Sequence, residues 1–266
     1  MSAIASIRAR RFYAETYDTA GVTWPGEIPF YLELTTDALK RHRPILDLAC
    51  GTGRIAIPLS ETGLDVTGLD HSPFMLDVAR QKSEGVPNIQ WVEGDMCAFQ
   101  LERTFAIILI PGHAFQNLNT VQEQMACLTS IKNHLDENGL LVIHVDHLDL
   151  RWLGEISGDK AGMVEVGQEF IHPLNGHTVR TLHAWSYDCA TQTATHETIW
   201  DVASEREKVE ERVESGPTFF HCFFRYEMEH LLHRCGLAVQ AVYGDFHRGE
   251  LTCKSPEMIW IAKRSR

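Results

Sequence analysis

Two glycines and three aspartates carry the first chemical signal in this chain. Residues 45–54 read ILDLACGTGR, and Gly51, Gly53 and Ala56 fit G-x-G-x-x-A, a turn that brings backbone close to a nucleotide. Alone the pattern is weak; its acidic company is more informative. Asp47 lies just before the turn, Asp70 lies nineteen residues past Gly51, and Asp95 follows later. An acid at the distance of Asp70 accepts hydrogen bonds from ribose hydroxyls. An acid at Asp95 can accept from the exocyclic amine of adenine. Asp47 puts negative charge beside the turn, which opposes a pyrophosphate and suits an ammonium or sulfonium. The set points to a cationic adenosine ligand rather than a dinucleotide.

Those residues need a frame, and the flanking pattern supplies one. Residues 45–49 read as an apolar strand, 53–62 as a helix stopped by Gly63, and 64–70 as a second strand. Ser72 and Pro73 start a helix over 72–84 as N-cap and first helical residue. Strands follow at 89–95 and 105–111, then a helix over 121–139 ended by Gly139, then a strand at 140–146. The continuous apolar run FAIILIP suits a parallel strand buried on both faces. Alternating strands and helices imply a doubly wound parallel sheet. The three aspartates then fall at carboxyl ends of strands, where ligands of such sheets sit.

The grammar changes after residue 150. VEVGQEFIHP, HTVRTLHAWSY and TQTATHETIWDVA read as three strands, with Asn175-Gly176 as a hairpin turn between the first two. Residues 151–218 are therefore expected to form an antiparallel insertion, and EREKVEERVE (205–214) a solvated charged face or loop. A helix at 225–235 and strands at 237–243 and 257–263 resume the main pattern. Only GDFHRGELTCKSP joins those last strands, too short for a helical crossover, so an antiparallel edge pair is expected.

Composition narrows the class. The chain has 266 residues, 44% hydrophobic and 23% charged, with net charge −12. An acidic surface repels phosphate backbones, so nucleic acid is not expected as a partner. The seven cysteines form no C-x-x-C pair and suit neither a disulfide framework nor a zinc site, which suggests a reducing cytoplasm. No apolar run is long enough to span a membrane, and MSAIASIRARRF does not read as a signal peptide.

LDLACGTGR, GLDHSPFMLDVAR, WVEGDM and the terminal YGDF…SPEMIWIAKR resemble the class I S-adenosylmethionine-dependent methyltransferases, over residues 10–150 and 220–266. The resemblance implies an α/β fold with a doubly wound seven-stranded sheet, order 3-2-1-4-5-7-6, strand seven antiparallel. It divides the chain into a cofactor domain (1–150 and 219–266) and an inserted sheet (151–218) acting as substrate lid and dimer contact. It places Gly51 and Gly53 under the methionine moiety, Asp70 on the ribose, and Asp95 with Met96 on the adenine. Further cofactor contacts are implied for Tyr17, Asp47, Ala49, Cys50, Thr52, His71, Met75, Gly94 and Ile110. The opening YAETYDTAGVTWPGEIPFYLEL is similar to the small-molecule branch, including sugar amine and glycine/sarcosine N-methyltransferases.

One departure bears on mechanism. Relatives of the sugar-amine kind often carry a histidine after the fourth strand; here the segment is IPGHAFQNL, with Asn117 in that place and His113 offset. Tyr17, His113, Asn117 and His221 are the candidate catalytic residues. No metal is expected: His144 and His147 flank Asp146 with metal-like spacing but read as core or solvated histidines. Of Trp185 and Trp200, one is expected to pack and one to face substrate. The missing histidine favours an acceptor that attacks without prior deprotonation, a free amine or an indole-like carbon, so that no single histidine is indispensable. The nucleic-acid amino-methylation motif Asn-Pro-Pro-Tyr is missing after strand four. The readings set against this one are an O-methyltransferase with a histidine base, a NAD-binding oxidoreductase, and a cofactor-binding protein without transferase activity. A cytoplasmic homodimer of secondary metabolism with no membrane partner completes the expectation.

Overall fold

A computed structural model describes residues 3–21, 23–204 and 209–265. In chain order the elements are α1 (Ala3–Thr16), α2 (Glu27–Leu34), α3 (Thr36–Lys40), β1 (Ile45–Leu48), α4 (Ala56–Glu61), β2 (Val66–Asp70), α5 (Pro73–Lys82), β3 (Ile89–Glu93), β4 (Phe105–Ile110), α6 (Val121–His134), β5 (Leu135–Asp146), α7 (Leu150–Ser157), β6 (Val164–Ile171), β7 (Thr178–Asp188), β8 (Thr193–Ala203), β9 (Glu211–His221), α8 (Arg225–Arg234), β10 (Leu237–Tyr243) and β11 (Glu257–Arg264). The chain divides into two compact units, Met1–Val22 with Asp149–Cys222, and Thr23–Leu148 with Phe223–Arg266.

The second unit holds a seven-stranded sheet in the order β3-β2-β1-β4-β5-β11-β10. β1 to β5 run parallel, while β11 is antiparallel to both β5 and β10. This is the topology expected, with the last strand inserted antiparallel. Its central strands are apolar because both faces are covered: every residue of β1 and β2 is buried. Local chemistry sets the helix starts. Ser72 Oγ accepts from the Met75 N–H with Pro73 at the first position, and Thr120 and Glu123 form a reciprocal capping box. One boundary differs from the pattern. The helix read over 121–139 stops at His134, because the buried Leu135 turns extended (φ −82°, ψ 131°) and pairs with Phe105. Gly139 therefore lies inside β5 instead of ending a helix.

The first unit is a four-stranded antiparallel sheet in the order β6-β7-β8-β9. Three strands were expected; the fourth, β9, comes from ERVESGPTFFH, of which residues 211–214 were read as a charged face or loop. Residues 205–208 of that segment lie outside the described residues. Alternation at β9 is broken by Ser215-Gly216: Glu197 faces Pro217 and Ile199 faces Glu214, so these two residues oppose the single Thr198 and β9 carries one extra residue. Ser215 Oγ accepts the Thr198 N–H there, at 3.0 Å. Residues 1–22 were grouped with the cofactor domain in the sequence, but α1 packs on the inserted sheet. Phe12 lies 5.3 Å from Trp200 between ring centroids, and Arg8 pairs with Glu211. Among the described residues no helix is long and apolar enough to cross a membrane.

Candidate active site

The glycine turn sits at the carboxyl end of β1. Ala49 (φ 59°), Gly51 (φ 55°) and Gly53 (φ 79°) all adopt left-handed backbone there. A Cβ at Gly53 would come 2.6 Å from Trp91, so only glycine fits; a Cβ at Gly51 meets nothing within 4 Å, so that side of the turn is open space. Asp70, at the end of β2, closes the turn: its Oδ2 accepts the Gly51 N–H and its Oδ1 the Ser72 N–H, both at 2.8 Å. Each oxygen keeps a further lone pair for a hydroxyl. Gly94 donates its N–H to the Asp70 carbonyl at 3.0 Å, which draws the β3 end to the same place. Asp95 is exposed and accepts the Cys97 N–H at 2.8 Å; Met96 beside it is half-buried. Thr52 and Met75 are buried, Ile110 ends β4 in the core, and His71 is exposed with Nδ1 3.7 Å from Asp70.

Asp47 is fully buried in β1, and neither carboxylate oxygen accepts a hydrogen bond of good geometry. Burial raises its carboxyl to about 7, against the pull of Arg54 and of the Ala56 amide. Burial also pushes the Cys50 thiol well up, with Asp47 and Asp70 adding to it, so this cysteine is a small filler of the turn.

A second cluster was not assembled by sequence reasoning. His113 follows β4, His144 lies in β5 and Glu257 opens β11, and their side chains meet. His113 Nε2 is 2.7 Å and His144 Nε2 2.9 Å from the same oxygen, Glu257 Oε2. Trp24 packs edge-on against both imidazoles, 4.9 Å between centroids, and Phe246 packs on His144. Arg54, next to Gly53, pairs with the buried Glu27 and lies over the Trp24 ring. Burial would raise the Glu257 carboxyl, but its bonds from His113 and His144 override that and hold it near 2. Burial drives His144 down to about 4 against the Glu257 bond. The available signals were a histidine inside the apolar LLVIHVD and an acid opening the buried EMIWIA; only pairing of β5 with β11 joins them, Glu257 opposite Asp146 and Ile259 opposite His144.

His147 does not join His144: its Nδ1 donates instead to the Ser255 carbonyl at 2.7 Å. Asn117 ends a short 3-10 turn over 114–117, exposed, its amide donating to the Ala114 carbonyl at 3.1 Å. Tyr17 and His221 belong to the first unit, Tyr17 edge-on to Tyr13 and His221 buried at the end of β9. In that unit Trp200 is 4% exposed and packs under α1, while Trp185 stacks on His196 at 3.9 Å.

Comparison with known proteins agrees with this geometry. A family model described as a methyltransferase domain matches residues 45–139, from β1 through the middle of the sheet. The chain is 26% identical over 229 residues to a putative methyltransferase, YqeM, of Bacillus subtilis, covering 84% of each chain. It is 27% identical over 194 residues to dTDP-3-amino-3,4,6-trideoxy-alpha-D-glucopyranose N,N-dimethyltransferase of Streptomyces venezuelae, 71% of this chain and 76% of that one. In fold it is similar to the CcbJ methyltransferase of Streptomyces caelestis, with TM-score 0.75, 22% identity and 96% of each chain covered. The chain carries a methyltransferase domain over residues 45–139 and has the class I fold of S-adenosylmethionine-dependent methyltransferases. The turn fits that cofactor: open space at Gly51, spare lone pairs on Asp70 and an unpartnered carboxylate at Asp47 suit a ribose and a cationic methionine moiety better than a pyrophosphate.

Proposed function

We propose that the enzyme methylates the amine of a small molecule, an amino sugar being the leading class. The observation that carries this is the charge at the carboxyl ends of β4 and β5. Glu257, Asp146 and Glu27 gather around His113 with Arg54 as their cation, so the cluster is built to take a further positive charge. An acceptor arriving as an ammonium supplies it. The similarity to an amino-sugar N,N-dimethyltransferase supports the same class.

Bound S-adenosylmethionine supplies a methyl group already activated by its sulfonium. In this reading Asp70 holds the ribose hydroxyls, and Gly51 and Gly53 let the backbone run beside the methionine moiety. Asp95 with Met96 holds the adenine, with Ala49, Cys50, Thr52, His71, Met75, Gly94 and Ile110 lining that site. Asp47 balances the cation. The protein contributes position, in-line approach and exclusion of water. Tyr17, Asn117 and His221 are proposed acceptor-side residues, and residues 151–218 set acceptor choice. A homodimer in a reducing cytoplasm belongs to the same proposal; the half-open edge strand β6, with Val164 and Val166 exposed, supports pairing of copies.

The test is a transfer assay with labelled S-adenosylmethionine against amino sugars, other primary amines, phenols, sugar hydroxyls and indoles. Methylation of the amino sugars alone is expected. Turnover confined to hydroxyls or aromatic carbons overturns the amine reading. Calorimetry with S-adenosylhomocysteine and with NAD is expected to show binding of the first only.

A further inference from the structure

Three polar atoms of the His113–His144–Glu257 cluster meet at one point. His113 Nε2 and His144 Nε2 are 3.1 Å apart, and both lie within 2.9 Å of Glu257 Oε2. The backbone resolves the arrangement. The Gly112 N–H donates to His144 Nδ1 at 3.3 Å, so that nitrogen carries a lone pair. A neutral imidazole then bears its proton on Nε2 and gives it to Glu257. With one N–H already on that side, His113 pairs with the carboxylate in the same way, as a second Nε2–H donor at 2.7 Å. A metal ion at the centre requires lone pairs, not protons, on both Nε2 atoms, and then a proton on His144 Nδ1 facing the Gly112 N–H. The geometry is that of a proton-handling triad rather than a ligand set.

The two histidines differ in access. His144 is fully buried, whereas the His113 side chain is 26% exposed. His113 also sits in left-handed backbone (φ 64°), a conformation rare for a side-chain-bearing residue, at the carboxyl end of β4. Its neighbour Gly112 lies against Arg54, which directly follows the glycine turn; a Cβ on Gly112 would be 3.3 Å from the Arg54 guanidinium. The remaining nitrogen, Nδ1, has no partner among the described residues. The charged groups facing the ring are Glu257, Glu27, Asp146 and Arg54, with neutral His144 behind.

We propose that His113 Nδ1 is the base that deprotonates the acceptor, and that Glu257, clamped by His144, is the positioning residue that makes it one. The proposal rests on the amine reading above. An acceptor ammonium gives one proton to Nδ1, freeing its nitrogen lone pair. That pair forms the C–N bond to the methyl carbon while the C–S pair stays on sulfur, leaving a thioether and a methylated ammonium. The imidazolium is balanced by the Glu257 carboxylate until its Nδ1 proton passes to water. His144 holds the carboxylate ionised and in place without titrating in the working range.

The first experiment needs no acceptor. Long-range 1H–15N spectra of 15N-histidine-labelled protein report the tautomer and titration of His113, assigned by His113→Asn. The expected result is Nε2–H with unprotonated Nδ1 in the wild type, and a mixture of the two tautomers in Glu257→Gln, where the carboxylate that fixes the Nε2 proton is gone. The Nδ1–H tautomer in the wild type, or an unchanged tautomer in Glu257→Gln, overturns the triad. So does stoichiometric zinc or cobalt held after dialysis and lost in Glu257→Gln.

The second is the pH profile of kcat/KM on whichever amino sugar the wild type methylates. His113→Asn is expected to cost about a hundredfold at neutral pH and to abolish the acid limb. Glu257→Gln is expected to lower kcat/KM about tenfold at neutral pH, with S-adenosylhomocysteine affinity within twofold of wild type in both variants. An unchanged profile overturns the role of His113 as base. If the wild type methylates no amine, the amine reading fails by itself, and the spectra still decide the triad.

Discussion

Asp47→Asn separates what the turn costs the fold from what it does for the cofactor. The Asp47 carboxyl is fully buried, lacks a hydrogen-bond partner of good geometry, and is raised from 3.8 to about 7, chiefly by burial. The folded chain therefore resists its ionisation and the unfolded chain does not. Stability from this group is fully present below the unfolded value near 4 and is lost as pH rises to the folded value near 7. About three units at ~1.4 kcal/mol each give a loss of about 4 kcal/mol at pH 8, and about 1.5 kcal/mol at pH 5. Asparagine keeps the shape and cannot ionise. The variant should gain a few kcal/mol over wild type at pH 8 and much less at pH 5, read by urea unfolding of the cofactor-free protein at both. Affinity for S-adenosylhomocysteine should move the other way, falling about tenfold, because its ammonium loses a carboxylate. An equal stability difference at pH 5 and pH 8 would refute the burial argument; unchanged affinity would refute the role assigned to the charge.

Asp70→Ala should weaken S-adenosylhomocysteine binding roughly tenfold to a hundredfold or more by calorimetry, since charge-assisted bonds are each worth about 1.5–3 kcal/mol. The same loss frees the Gly51 and Ser72 amides, so circular dichroism must show the fold intact. Gly53→Ala should destabilise the protein by about 2 kcal/mol or more in thermal unfolding, because its Cβ would meet Trp91 at 2.6 Å in left-handed backbone. Ala49→Gly acts in reverse: relief of the left-handed strain at φ 59° should leave stability equal or about 1 kcal/mol higher. Exchanging residues 151–218 for those of a relative with another substrate should change acceptor preference and leave cofactor affinity within a few-fold. A monomer in sedimentation would remove the dimer from the proposal.

The parallel sheet was legible because its causes are local, whereas its strand order followed only from the resemblance to class I methyltransferases. Apolar runs of strand length, Ser72-Pro73 before a helix and glycines where left-handed backbone is required are written in consecutive residues. Asp70 was legible for the same reason: a strand end nineteen residues past Gly51 fixes its place once β1 and β2 pair in register. β9 was not, because a charged start and the Ser215-Gly216 bulge hide its alternation; its pairing with β8 outweighs its weak propensity. The end of α6 at His134 was not either, since burial of Leu135 against the sheet overrides the helical pattern. The triad is the clearest case. His113, His144 and Glu257 are separated by 31 and 113 residues along the chain, and nothing local ties an imidazole in one strand to a carboxylate in another. Insertion of β11 antiparallel beside β5 brings them within hydrogen-bond reach, and the Gly112 amide then decides which nitrogen holds the proton. Sequence determined the cradle, whose parts are neighbours in the chain; tertiary structure alone decided the proton chemistry, whose parts meet only when the sheet closes.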